Sequence, residues 1–197
     1  MMAAVRNYLG SSLLLAACLL ASGCVSMPAP AYQPGIANTE VLLQGKGSLT
    51  VEPFVASKGV NNKSLSVRGS SLKGGSDGSF STYLQEALVA ELKTAGRYGA
   101  SSDTRISGTL VKNQLDDGAI KTGTAVVGAR FVVTRGGSPV YDKALEAEHT
   151  WDSSFIGAIA IPAAMENYAT AVQKLIGKLF GDPEFVKATQ DAVAENK

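Results

Sequence analysis

The chain has 197 residues, 45% of them apolar and 18% charged, and its 18 basic and 17 acidic side chains leave a formal net charge of +1. A near-neutral chain with no basic block lacks the electrostatic footprint that a nucleic-acid partner requires. The length allows one ordinary domain, which can bury roughly two-thirds of its unfolded surface and needs no metal or disulfide to hold it together.

In chain order, Arg6 precedes a mostly apolar run from Tyr8 to Ala21. A secretory signal has an apolar core of about 7–15 residues, whereas a helix that spans a bilayer needs about 20. The run ends in Ala21-Ser22-Gly23-Cys24. Small residues leading to a cysteine resemble the lipobox of bacterial lipoproteins, in which diacylglycerol is attached to the thiol and the chain is cut just before it. The resemblance has one departure. The family usually places leucine three positions before the cysteine, where this chain has Ala21, with Leu20 one step further back.

That resemblance implies a signal peptide over residues 1–23 and a lipid on Cys24. Each buried methylene contributes about 0.8 kcal/mol, so the three chains typical of such proteins would hold the polypeptide at the membrane. Val25 stands where aspartate commonly retains these proteins at the inner membrane, so the implied address is the outer membrane, periplasmic face. Two other readings stay open: cleavage after Ala31 in Pro28-Ala29-Pro30-Ala31, and an uncleaved anchor. Cysteine usage fits the lipoprotein reading. Cys18 and Cys24 are the only two cysteines, and loss of the first with lipidation of the second would leave no thiol in an oxidising compartment.

Residues 24–45 read as a lipidated N-terminus and tether. Pro28, Pro30 and Pro34 favour an extended chain, and at about 3.1 Å per residue a spacer of some 16 residues would hold a domain up to roughly 50 Å from the bilayer.

Residues 46–197 are expected to form the single periplasmic domain. Ser48–Val55 alternates as a first strand, with Pro53 marking an edge or an end. A long loop follows, with a short strand at Ser64–Val67. Phe80, Leu84, Leu88, Leu92 and Ala95 make the apolar stripe of a helix over Ser81–Ala95, with Ser79 or Ser81 as its cap and Gly96 as its stop. Three strands are predicted next: Arg105–Leu115, Lys121–Arg135 and Pro139–Trp151. Asp116-Asp117-Gly118 and Gly136-Gly137-Ser138 turn the chain between them. A second helix is expected to open at Pro162 and stop at Gly181-Asp182-Pro183, with a short helix beyond. The order β-α-β-β-β-α predicts an α+β two-layer sandwich: a four-stranded, mostly antiparallel sheet with both helices on one face. With the lipobox and the proline-rich segment, this order resembles small envelope lipoproteins of Gram-negative bacteria, including the lipopolysaccharide-assembly type. It implies an accessory role in assembly or transport.

Catalytic signals are weak. His149 is the only histidine and reads as strand packing, so no metal site and no serine-histidine pair is expected. Neither Gly78-Ser79-Phe80 nor Gly137-Ser138-Pro139 supplies the strained Gly-x-Ser-x-Gly elbow of a serine nucleophile. Gly45-Lys46-Gly47-Ser48 lacks the leading glycine of a phosphate loop, and Asp116-Asp117 reads as a solvated turn. The reading is a non-enzyme without a cofactor.

The unusual stretch is Ser153 to Pro162, a strand-to-helix connection carrying Phe155, Ile156, Ile159 and Ile161. Connections are normally polar. It either folds over the open end of the sheet or forms an exposed contact patch with Trp151 at its border. The function expected is that of a lipid-anchored module that binds another envelope protein. The alternative is a carrier holding an acyl chain between helices and sheet, which would require those apolar residues to line a pocket of roughly 300–1,000 Å³.

Overall fold

Period-two alternation in the three long segments after residue 103 builds the platform on which everything else rests. The computed structural model describes residues 26–118 and 121–190. Its elements are β1 (Ser26–Pro28), α1 (Ile36–Leu43), β2 (Thr50–Val51), β3 (Val55–Ala56), β4 (Leu65–Val67) and β5 (Ser70–Lys73). They continue with α2 (Phe80–Thr94), β6 (Thr104–Asp116), β7 (Thr122–Arg135), β8 (Ser138–Asp152), α3 (Gly157–Phe180) and α4 (Pro183–Thr189). The expected signal segment and Cys24 lie outside the described residues.

β6, β7 and β8 form an antiparallel meander. Every second residue faces inward: Ile106 and Leu110, then Ala125, Val127, Ala129, Phe131 and Val133, then Tyr141 and Ala147 are all buried. The β7–β8 turn is the two-residue pair Gly136-Gly137, with φ of 54° and 84°. Both angles are positive, the geometry that matches the twist of a hairpin. β2 and β3 run parallel to β6 on its other side.

The helices cover the inner face of this sheet. α2 buries Leu84, Leu88 and Leu92, while α3 buries Tyr168, Val172, Leu175, Ile176 and Leu179, and all join one core with the sheet residues. Ser79 caps α2 by accepting a hydrogen bond from the Thr82 amide, satisfying one of the free donors at a helix start. The α+β class therefore holds, with the two long helices on one face.

The layout departs from expectation in four places. First, the main sheet has five strands and is mixed, because Pro53 has no N–H to donate and splits the first strand into β2 and β3. Phe54, in the break, lays its ring over Gly108 and packs edge-on against Phe131. Second, part of the expected loop is a second sheet in the order β1-β5-β4, formed because Leu65, Val67 and Leu72 alternate inward. Third, α3 begins at Gly157, with Pro162 inside the helix instead of at its start. Proline there removes one i to i−4 bond, and the apolar connection becomes the helix's opening turns.

The fourth departure concerns residues 26–43. Instead of a free extended spacer, β1 pairs parallel with β5, and α1 packs against both α2 and α3. This segment makes a third layer on the outside of the helices. Among the described residues no element covers the opposite face of the main sheet, which is crossed by Lys112–Glu146 at 2.7 Å and Arg130–Asp142 at 2.5 Å.

Candidate functional site

The end of the main sheet where β6 and β8 finish and β7 begins gathers most of the residues singled out in the sequence. The β4–β5 hairpin reaches it through a two-residue turn, Arg68-Gly69, since Val67 pairs with Ser70. Arg68 holds φ +48°, an unfavourable angle for a side chain with a Cβ. Asp117 compensates for this. One of its carboxylate oxygens accepts from the Arg68 amide at 2.6 Å and the other from Arg68 Nε at 3.1 Å.

Arg68 also donates through Nη2 to the Ser154 carbonyl at 2.9 Å. Ser153 Oγ donates to the Asp117 carbonyl, and the Ser153 amide donates to the Lys121 carbonyl at 2.7 Å. The hairpin tip, the turn after β6 and the exit of β8 are thus one bonded unit. Asp117 is a structural partner and not part of a solvated turn, because both partners of this ion pair are largely shielded from water.

Phe155 follows Ser154 directly and is 81% exposed, with Ile156 at 57% and Ile159 at 56%. Ile161 and Trp151 instead pack against the core. Trp151 pairs with Gly123 across β7 and β8, and its indole lies where a Cβ on Gly123 would stand. The expected patch therefore divides into three exposed side chains and two packed ones. No charged residue occurs between Asp152 and Glu166, so the whole opening of α3 is uncharged.

The N-terminal segment arrives at this same end. Ser26 pairs with Ser71, beside the hairpin tip, and β1 then runs away from it. Above β1 the segment is stitched down by Glu91, which is 0% exposed within α2. Glu91 Oε1 accepts from Tyr32 Oη at 2.6 Å, the Gly35 amide at 3.0 Å and Asn38 Nδ2 at 2.8 Å. Tyr83 Oη donates to the Pro30 carbonyl at 3.1 Å, and Gln173 Nε2 to that of Gln33 at 3.2 Å. Burial and then the Glu91 contact push the Tyr32 phenol well above its ordinary value. Burial, with Glu86 nearby, pushes Tyr83 up to about 12. None of these stitching residues was marked by the sequence reading.

Elsewhere His149 bridges β8 to α3. Its Nε2 lies 2.7 Å from Asn167 Oδ1 and its Nδ1 2.9 Å from Lys174 Nζ. Lysine can only donate, so the ring proton is assigned to Nε2. Among the described residues no cluster of three or more His, Cys, Asp or Glu could hold a metal ion, and no helix is long and apolar enough to cross a membrane. Two open clefts flank the N-terminal segment. One, of about 500 Å³, lies between Tyr32 and Gln173, and the other, of about 420 Å³, lies beside Gly75 and Tyr83. Phe155, Ile156, Ile159 and Ile161 line neither.

No family model matches the sequence, and no curated protein matches it significantly. Among solved structures, the protein XCC0632 from Xanthomonas campestris, of the DUF330 family, overlays with a TM-score of 0.52 at 16% identity, covering 80% of this chain and 90% of that one. What is shared is the fold. Looser overlays occur with a candidate lipoprotein of Caulobacter crescentus (TM-score 0.42, 14% identity, 72% and 92% of the two chains). A minor lipoprotein of Acinetobacter baumannii overlays similarly (0.40, 10%, 68% and 88%).

Proposed function

We propose that this chain is a lipid-anchored, non-enzymatic lipoprotein of the Gram-negative envelope. Cys24 carries the lipid at the periplasmic face of the outer membrane, and the domain serves as a protein-binding accessory module in assembly, transport or maintenance of that membrane. The observation that carries the reading is the position of Ser26. The lipobox-like Ala21-Ser22-Gly23-Cys24 ends two residues before Ser26, the first of the described residues and one paired with Ser71 of β5, so a cut before Cys24 would leave β1 whole. Cleavage after Ala31 would remove β1 and its pairing with β5, which favours the earlier cut.

The surface left for a protein partner is the open face of the main sheet. Helices and the N-terminal segment cover the other face, while Val111 and Val140 remain exposed among the ion pairs of the open one. The acyl-carrier alternative has less support. The space between helices and sheet is filled by fully buried Leu88, Leu92, Phe131, Tyr168 and Leu175, and the two clefts described above lie beside the N-terminal segment, outside that layer.

The test is a photo-reactive side chain placed at Val140 or Ala144 on the open face, and at Lys93 on the helix side as reference, in intact cells. The reading expects one envelope protein to be captured from both sheet positions and not from Lys93. Capture of nothing from the sheet face, or equal capture from all three positions, contradicts it.

A further inference from the structure

We infer that Phe155, Ile156 and Ile159 are a membrane-contacting wedge: the domain lies directly on the bilayer that holds its lipid anchor, with the uncharged opening of α3 inserted among the headgroups. The inference rests on the proposed lipidation of Cys24 and adds what that anchor does to the folded body. A proline-rich tether would leave the domain free to stand far from the membrane. The structure removes that freedom, because β1 starts at Ser26 and pairs at once with β5. Two residue steps separate Cys24 from Ser26, and two steps of extended chain reach at most about 7 Å. The end of the folded body that carries β1 is therefore held at the headgroup layer, whatever else the domain binds.

Which end faces the lipid follows from hydrogen bonds already described. Ser26 stands beside Ser71, two residues beyond Gly69 of the hairpin tip. Arg68 at that tip is bonded to the Ser154 carbonyl, and Ser154 is joined to Phe155 by a peptide bond. Anchor, tip and apolar side chains are thus successive links of one end of the molecule. Phe155 and Ile156 would otherwise be a large apolar surface left in water, of the kind that marks a contact. The absence of charge between Asp152 and Glu166 suits lipid. An interfacial helix face sinks only about 5–10 Å, a depth that Phe155 and Ile156 just before α3 and Ile159 on its first turn can fill.

The occupant is a lipid surface, and vesicles containing no other protein test it. If Cys24 carries lipid, the mature chain holds no free thiol, so A158C supplies a single labelling site on the exposed side of the wedge while leaving Phe155 and Ile159 intact. S138C, at the far end of β8, is the reference; the 15 residues of that strand span about 45 Å. Each lipidated variant carries an environment-sensitive fluorophore in vesicles of phosphatidylethanolamine and phosphatidylglycerol doped with nitroxide lipid. The expected result is several-fold stronger quenching by the nitroxide lipid at position 158 than at 138. Quenching should drop to the level of position 138 when F155S and I159S are added to A158C. Equal quenching at both positions, with equal access to aqueous iodide, overturns the proposal and leaves a protein partner as the occupant. Flotation is scored separately. A chain that does not float with the vesicles overturns the anchor as well, whereas one that floats with position 158 in water overturns only the wedge.

Discussion

Tyr32 donates to Glu91 at 2.6 Å, joining residues 59 positions apart and closing the N-terminal segment onto the helix layer. The same carboxyl oxygen holds the Gly35 amide and the Asn38 side chain. Its second oxygen has no hydrogen-bond partner among the described residues. Glu91→Ala strips three donors of their acceptor inside a buried site, and with each bond contributing about 1 kcal/mol or more and each orphaned donor adding to the loss, the cost is roughly 2–4 kcal/mol. Urea denaturation measures it, and limited proteolysis should cut residues 26–35 faster. Glu91→Gln keeps an acceptor oxygen and should be milder on both measures. Equal protease resistance of the wild type and Glu91→Ala would mean the stitch does not hold the segment.

Alkaline pH attacks the same region. Burial lifts the Tyr83 phenol to about 12 and holds Tyr32 and Tyr168 above their ordinary values. The fold thus favours the protonated phenols, while the unfolded chain loses those protons near pH 10. The stability they contribute is complete below about pH 10 and is lost as pH rises toward and through 12, where the unfolded state binds fewer protons than the native one. Urea midpoints measured from pH 8 to 12 should fall along that window. Tyr83→Phe should make the fall shallower, after a fixed loss for the missing bond to the Pro30 carbonyl.

Trp151 and Gly123 form a cross-strand pair that admits no added side chain, because the indole occupies the place of a Cβ. Gly123→Ala forces the ring off the strand, and such overpacking costs about 1–3 kcal/mol. Trp151 is the only tryptophan, so a red-shifted emission together with a lower melting temperature reports the displacement. Emission unchanged from wild type would show the indole resting elsewhere.

The Arg68–Asp117 contact carries two loads, a backbone angle and an ion pair. Asp117→Ala leaves Arg68 at a positive φ with its amide unsupported, and should cost roughly 2–4 kcal/mol. Arg68→Gly removes the angular strain while losing the pair, so it should cost less than Asp117→Ala. The reverse order, read from denaturation midpoints, would assign the stabilisation to charge alone.

Most of the platform was legible in the sequence. Alternation marks β6 to β8 to within a residue or two, and the stripe Leu84, Leu88, Leu92 marks α2, because period is a local property. The N-terminal segment was not, since Pro28, Pro30 and Pro34 exclude helix and suggest a free spacer, yet an extended chain can equally add to a sheet edge. The available signal was Glu91, a carboxyl one turn from Leu88 on an otherwise apolar stripe, which must find donors from elsewhere. Arg68-Gly69 between Val67 and Ser70 was a two-residue hairpin turn hidden by arginine, which rarely adopts that angle. Of the apolar connection, Phe155, Ile156 and Ile159 proved exposed. Trp151 and Ile161 went to the core because Gly123 and the inner face of α3 receive them.

The account stands on a lipid at Cys24, and the mass of the native mature protein, purified from membranes with detergent, tests that most directly. It predicts an N-terminal peptide beginning at Cys24 and heavier than its bare polypeptide by a diacylglycerol and an acyl group. A peptide beginning at Pro28, Tyr32 or any other residue, or a Cys24 peptide of unmodified mass, would contradict the anchor and the membrane-facing orientation built on it.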